Sequence, residues 1–230
     1  MKITILTLFP KMFSGPFDYS IVKKAREKQL VEINFVDIRD FGLGKHKIVD
    51  DKPYGGGQGM ILRVDVLKKA IDLVVDKKLR KNEQKIVLLS PSGRTYTQKT
   101  AGDFSKLKHL ILICGHYEGV DERIKKFINL EISIGNYVLT GGEIPAMVIV
   151  DSVVRLLKGV LKAAVVENES FSQNSSALEY PQYTRPEAFE NIKVPTILTS
   201  GNHQKIAEWN KNESFKRSKK ATPQKPKPRE

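Results

Sequence analysis

Residues 133–143, "SIGNYVLTGGE", set a glycine pair directly ahead of an apolar stretch with helical spacing, "IPAMVIVDSVVRLL". Glycines that open a helix are what a phosphate-binding loop uses, because free backbone N–H groups there point at an anion. Yet no Lys-Ser or Lys-Thr follows, and the spacing is not G-x-G-x-x-G. Two further turns, "SPSGR" (90–94) and "CGHYEGVDER" (114–123), each follow an apolar, β-branched run. A third stretch, "DDKPYGGGQGM" (50–60), holds four glycines within five residues. In an open α/β sheet, ligands bind beyond the carboxyl ends of the strands, so these turns fit one shared site better than unrelated loops. The chemistry on offer is a ligand gripped by main-chain groups, with Tyr117 and Tyr137 packing on it. An adenine-like cofactor is as far as the residues alone lead.

Other chemistries find less support. His46, His109, His116 and His203 lack the spacing of a metal-ligand set. The one cysteine, Cys114, excludes an internal disulfide framework and a cysteine-based metal cluster. It ends an apolar run, where a buried structural thiol is expected rather than a nucleophile.

The elements that must position these turns read as alternating strands and helices. Residues 2–9, 31–38, 85–90 and 109–115 are short, near-continuous apolar runs, the pattern of strands buried on both faces of a parallel sheet. Residues 19–29 and 63–79 have helical spacing between them. An α/β domain over residues 1–160 is expected, and no internal repeat is present. Residues 161–200 read as an irregular linker or lid, and 201–215 as one helix capped by Asn202. Residues 216–230 read as a disordered basic tail.

Charge narrows the partner. The net charge is +13, and the last fifteen residues carry seven Lys/Arg and one Glu, so +7 remains on residues 1–215. The excess is not a tail effect alone, and it points to a polyanion, nucleic acid foremost. The N-terminal run "MKITILTLFP" lacks the long apolar region and cleavage site of a signal peptide. No run approaches the roughly 18 apolar residues that a membrane span needs. No membrane association and a cytoplasmic location are expected.

Eight ordered stretches then carry a resemblance. "DDKPYGGGQGM", "LSPSGR", "CGHYEGVDER", "SIGNYVLTGGE", "DSVVRLLKGVL", "ESF", "YPQYTRPE" and "VPTILTSGNH" are collinear with the bacterial tRNA (guanine-N1)-methyltransferases of the TrmD family, over about residues 1–209. The resemblance implies an α/β fold of the SPOUT class: a parallel sheet with a deep trefoil knot, followed by a short, truncated helical C-terminal region. Composition could not have indicated a knot, since connections ordinarily do not thread. It further implies a homodimer, S-adenosyl-L-methionine as methyl donor, tRNA guanosine 37 as acceptor, and Mg2+ dependence, although no metal-ligand cluster is visible. By match, the cofactor site comprises Leu89, Pro91, Gly115, Tyr117, Glu118, Gly119, Ile134, Gly135, Asn136, Tyr137, Val138, Leu139, Gly141, Gly142 and Pro145.

Two residues match catalytic positions. Arg155 corresponds to the family's arginine, expected to stabilise charge developing on the guanine O6; without the resemblance it reads as an i,i+4 ion pair with Asp151. Glu169 stands before Ser170-Phe171 where the family usually has Asp, and is expected to be the base that takes the N1 proton. Asn136 likewise stands where Asp is usual. These departures leave two alternatives: another knotted RNA methyltransferase, or an RNA-binding homologue with impaired catalysis.

Overall fold

The computed structural model describes residues 1–162, 165–166, 169–172 and 178–221. The chain forms two compact units, Met1–Leu161 and Lys162–Glu230.

The first unit is built on a five-stranded sheet of β1 (Lys2–Thr7), β2 (Glu32–Asp37), β5 (Gln84–Thr95), β6 (His109–Cys114) and β7 (Leu130–Ser133). The strand order is β2-β1-β6-β5-β7, and every neighbouring pair is parallel. Alternation along each strand splits the core into two layers. Ile3, Ile5, Leu110, Leu112 and Cys114 face one side, packed with α1 (Ser20–Glu27), α3 (Gln98–Phe104) and α4 (Glu143–Val154). Leu6, Ile111 and Ile113 face the other, covered by Val66, Leu67, Ala70 and Ile71 of α2 (Val64–Val74). All six residues of β6 are buried, which is why its sequence shows no polar alternation. A two-residue ladder, β3 (Asp50–Asp51) with β4 (Ile61–Leu62), closes the glycine-rich stretch between them.

The sequence-based outline differs from this fold in several places. The helix expected over 63–79 stops at Val74, because Val75 is extended (ψ 123°) while its N–H still bonds the Ile71 carbonyl. Adjacent β-branched valines favour that exit. β5 runs on past residue 90 and makes the "SPSGR" stretch part of the strand. Its pairing with β7 breaks after Leu89–Ile132 and resumes at Arg94–Ile132, so the chain bulges outward and returns to the same neighbour. β7 itself, four residues long, was too short to register as a periodic run.

The second unit contains a hairpin of β8 (Ala188–Phe189) and β9 (Ile192–Lys193), one helical turn at Thr196–Thr199, and α5 (His203–Ala221). Asn202 caps α5 as expected: its side-chain oxygen accepts from the Lys205 N–H at 3.1 Å. The helix does not end at 215. It continues through Lys216–Ala221, which corrects the expectation of a disordered tail from 216. The Ser218 hydroxyl donates to the Ser214 carbonyl, Lys216 pairs with Glu213, and Lys219 and Lys220 sit in the last turn where the helix dipole favours cations. Residues 222–230 of the expected tail lie outside the described residues, as do 163–164, 167–168 and 173–177 of the expected linker. Among the described residues, no helix is long and apolar enough to cross a membrane.

Candidate functional site

The middle of β5 and the carboxyl ends of β6 and β7 surround a cleft of about 230 Å3. Leu88, Leu89, Ser90 and Pro91 enter from β5; residues 115–120 form the loop after β6; Ile132, Ser133, Ile134 and Gly135 follow β7; and 137–142 with Pro145 lead into α4. The structure thus brings together Leu89, Pro91, Gly115, Tyr117, Glu118, Gly119, Ile134, Gly135, Tyr137, Val138, Leu139, Gly141, Gly142 and Pro145. Asn136 is not among the lining residues. Leu88, Ser90, His116, Val120, Ile132, Ser133 and Thr140 line the cleft without having been singled out. All seven lie in or beside the quoted stretches, so the signal for them was proximity to a glycine turn.

Close backbone approach shapes this cleft. The Gly142 N–H donates to the Gly115 carbonyl at 2.8 Å. A Cβ on Gly142 would lie 2.6 Å from the Cys114 Cα and 2.8 Å from the Gly115 nitrogen. Its φ of −82° is open to any residue, so glycine is required here for proximity and not for its dihedral freedom. The turn after β7 is held by Ser133, whose hydroxyl donates to the Gly135 carbonyl at 2.9 Å. Tyr117 adopts φ +59°, an uncommon left-handed conformation of a kind that concentrates at functional sites.

Beneath the turn, Glu143 is 2 % exposed and accepts a 2.7 Å hydrogen bond from the Thr7 hydroxyl, which itself accepts from the Phe9 N–H. Cys114 is fully buried, and burial together with the nearby Glu143 carboxyl pushes its thiol well above the ordinary range. It is a structural thiol, as its apolar run implied.

The lining carries Glu118 as its acidic side chain and, among the described residues, no Lys or Arg. That selects against a phosphate and suits a ligand that is neutral or positively charged near Glu118. The 50–60 stretch does not line the cleft, contrary to the expectation that it joins the other glycine turns around one site. It backs the 116–121 loop instead: the Glu118 N–H donates to the Met60 carbonyl, and the Leu62 N–H to the Gly119 carbonyl, both at 3.0 Å. A Cβ on Gly59 would meet the Glu118 side chain, so the stretch is glycine-rich partly to lie flat against this loop.

Arg155 is not among the residues lining the cleft. Arg155 caps the carboxyl end of α4, whose amino end opens at Gly142. Thirteen residues of helical rise separate the two by about 20 Å, beyond the reach of an arginine side chain. Glu169 belongs to the second unit, half-buried at the start of a turn in which the Ser172 N–H bonds its carbonyl at 3.1 Å. Phe171 in that turn has φ +61°. No group of three His, Cys, Asp or Glu side chains able to hold a metal occurs among the described residues.

A doubly covered parallel sheet with a glycine-walled cleft at its carboxyl edge defines an α/β protein of the open parallel-sheet class. The chain belongs to the family described as tRNA (Guanine-1)-methyltransferase TrmD, whose model matches residues 1–226. Its relatives include three proteins named tRNA (guanine-N(1)-)-methyltransferase. That of Dictyoglomus turgidum is 55 % identical over 95 % of this chain and 86 % of its own length. That of Geobacillus kaustophilus is 56 % identical over 95 % and 88 %. That of Endomicrobium trichonymphae is 47 % identical over 97 % and 98 %.

Proposed function

We propose that this protein transfers a methyl group from S-adenosyl-L-methionine to N1 of guanosine 37 in tRNA. The observation that carries the reading is the family match over nearly the whole chain, set on a cleft whose shape and charge suit the donor. The residues fit that donor: flat glycine walls at Gly115, Gly141 and Gly142 admit a planar base, and Glu118 without a neighbouring cation tolerates a positive sulfonium or ammonium. When bound, the donor supplies an already electrophilic methyl group. The chain's own task is then to orient the acceptor, exclude water and manage one proton.

N1 of neutral guanine carries a proton, so a base must remove it as the new bond forms, and negative charge builds toward O6. Glu169 takes the proton in this proposal. Arg155 stabilises O6 in the manner of an oxyanion donor. The roughly 20 Å between Arg155 and the cleft of the same chain supports a homodimer, in which a second copy supplies the arginine. The outer face of α4 supports it too: Ile144 and Val148, one turn apart, are 46 % and 42 % exposed. An apolar pair on that face is suited to cover by another subunit. The knotted path belongs to the same proposal, supported by the backbone-on-backbone packing at Gly142 and at Gly93, whose Cβ would enter the Glu131–Ile132 main chain. The tRNA substrate favours a cytoplasmic setting.

Methyl transfer from radiolabelled donor to tRNA transcripts with G or A at position 37 tests the reading. Incorporation confined to the G transcript is expected. Equal labelling of both transcripts favours a different knotted RNA methyltransferase, and tRNA binding without any labelling favours an impaired RNA-binding homologue.

A further inference from the structure

The bulge of β5 is held by a chain of polar side chains that starts outside the cleft and ends on its wall. Leu88 pairs with Glu131 and Leu89 with Ile132 before β5 leaves its neighbour, and Ser90 and Ser92 stand in the departure. Their hydroxyl oxygens lie 2.8 Å apart, and the Ser92 N–H donates to Ser90 Oγ at 3.2 Å. The Ser92 hydroxyl donates to Glu131 Oε1 at 2.8 Å. Glu131 Oε2 meets Lys125 at 3.1 Å, from the short helix Glu122–Phe127 that follows the loop after β6. Burial raises the Glu131 carboxyl, but hydrogen bonds from Ser92, Lys125 and Ser90 outweigh it and hold the group below its ordinary value. Glu131 is therefore ionised at neutral pH, and a carboxylate only accepts.

That charge fixes the direction of every proton in the chain. A hydroxyl has one proton to give and two lone pairs. Ser92 gives its proton to Glu131, so toward Ser90 it can only accept. The Ser90 proton goes to Ser92, or directly to Glu131, and is spent in both cases. One lone pair of Ser90 already takes the Ser92 N–H, which leaves one lone pair on a residue that lines the cleft. A chain of hydrogen bonds that ends on a charge is stronger than its neutral counterpart, so this polarity resists reversal. We propose that Ser90 is a specificity-determining residue that offers the occupant of the cleft an acceptor and no donor, with Ser92 and Glu131 as positioning residues acting through it. An ordinary serine adapts to either sign of partner, and this one does not. It reads an N–H or O–H group; a carbonyl or ring nitrogen set against it would meet lone pair with lone pair. The direction of the proton rests on the protein alone, whereas the ligand that supplies the donor rests on the cofactor reading above.

Neutron diffraction from the ligand-free protein tests the proton. The Ser90 hydroxyl hydrogen is expected to point to Ser92 or Glu131, and a hydrogen directed into the cleft overturns the proposal whatever the cofactor. A crystal structure with S-adenosyl-L-methionine tests the reading. One donor of the ligand (the adenine amine, a ribose hydroxyl or the ammonium) is expected about 2.6–3.2 Å from Ser90 Oγ. A ligand acceptor at that place, or no polar ligand atom, overturns the specificity role. Calorimetry with the same ligand tests the positioning role. Ser90→Ala is expected to weaken binding about tenfold, the equivalent of one hydrogen bond, and Ser90→Cys, a poorer acceptor of similar shape, nearly as much. Glu131→Met, which cannot accept, is expected to weaken binding in the wild-type background and to cost nothing further in Ser90→Ala. Glu131→Gln, which keeps one acceptor oxygen, is expected to restore most of the loss. An equal loss from Glu131→Met in both backgrounds assigns Glu131 to the shape of the wall and overturns the positioning role. Failure of the cofactor reading looks different: wild-type protein with the Ser90 hydrogen in its expected place would bind no S-adenosyl-L-methionine at all.

Discussion

Two histidines at opposite ends of one sheet serve opposite purposes. His109 begins β6 at the amino edge, 1 % exposed, with Nε2 2.9 Å from the Thr4 hydroxyl and Nδ1 3.0 Å from the Gln84 side chain. Both ring nitrogens are satisfied. His116 follows the same strand at the carboxyl edge, and its Nδ1 has no hydrogen-bond partner among the described residues. A polar group inside a core must be paired or it destabilises the fold. A polar group left open beside a cleft is a place for something else to bind. The amino edge of this sheet is finished by its own side chains, and the carboxyl edge opens on the cleft.

Substitutions should therefore separate cleanly. Changes at the carboxyl edge and in the reacting groups should alter binding or turnover, and changes at the amino edge should alter stability. The largest effect is expected at the walls and the base. Gly142→Val drives a branched side chain into the Cys114 backbone and should abolish S-adenosyl-L-methionine binding by calorimetry. Glu169→Gln should abolish turnover while donor affinity stays near wild type, and an unchanged single-turnover rate would remove Glu169 from the mechanism.

Next in size is Arg155→Ala, expected to lower the methyl-transfer rate roughly 100- to 1,000-fold, the range for loss of one oxyanion-type donor. Mixing this variant with Gly142→Val sharpens the comparison. If the cleft of one copy uses the arginine of another, heterodimers regain one intact site and partial activity returns. No recovery from the mixture would argue that each chain is self-sufficient.

The amino edge should respond to pH rather than to substrate. Burial lowers His109 from its ordinary 6.5 to about 4. Above pH 6.5 it is neutral in both folded and unfolded chains, and its environment costs nothing. As pH falls from 6.5 toward 4, only the unfolded chain takes up the proton, so stability is lost across that window. The loss amounts to about 3 kcal/mol by pH 4. Urea unfolding at pH 7.5 and pH 5 should show the fall, and His109→Asn should flatten it. An equally steep fall in that variant would assign the acid sensitivity to other groups.

The smallest effect is expected from residues 222–230, which carry Lys225, Lys227 and Arg229 against Glu230. If they contact tRNA phosphates, deleting them should reduce the slope of log affinity against log salt by about 0.7–0.9 per contact. Discrimination between G and A at position 37 should be unchanged, because phosphate contacts carry no base information. Identical salt slopes before and after deletion would shift the grip on tRNA to the basic surface of residues 1–221.

Much of the fold was legible in the sequence because burial on both faces leaves a plain mark. The runs that became β1, β2, β5 and β6 are apolar almost without interruption, and Asn202 announced the start of α5. β7 escaped because four residues show no period, and α2 was overextended because "VVDKKL" keeps helical spacing after its backbone has turned away. Of the site, the glycine stretches within β5 and after β6 and β7 were visible, as was the place of Glu118 among them. His116 was noticed only as a histidine without metal spacing, since a partner left open is a property of its surroundings and not of its residue type.

The sequence by itself determined the alternation of strand and helix, the basic charge, the glycine stretches and the family. Those are properties of single segments, set by side-chain period and composition. Only the tertiary structure decided that Cys114 and Gly142 touch backbone to backbone, that the 50–60 stretch backs the cleft without lining it, that Asn136 does not line it, and that Arg155 stands a helix length away. Each of these depends on where two segments cross. Period reports which face of a segment is buried, but not which partner buries it or how closely the two main chains approach.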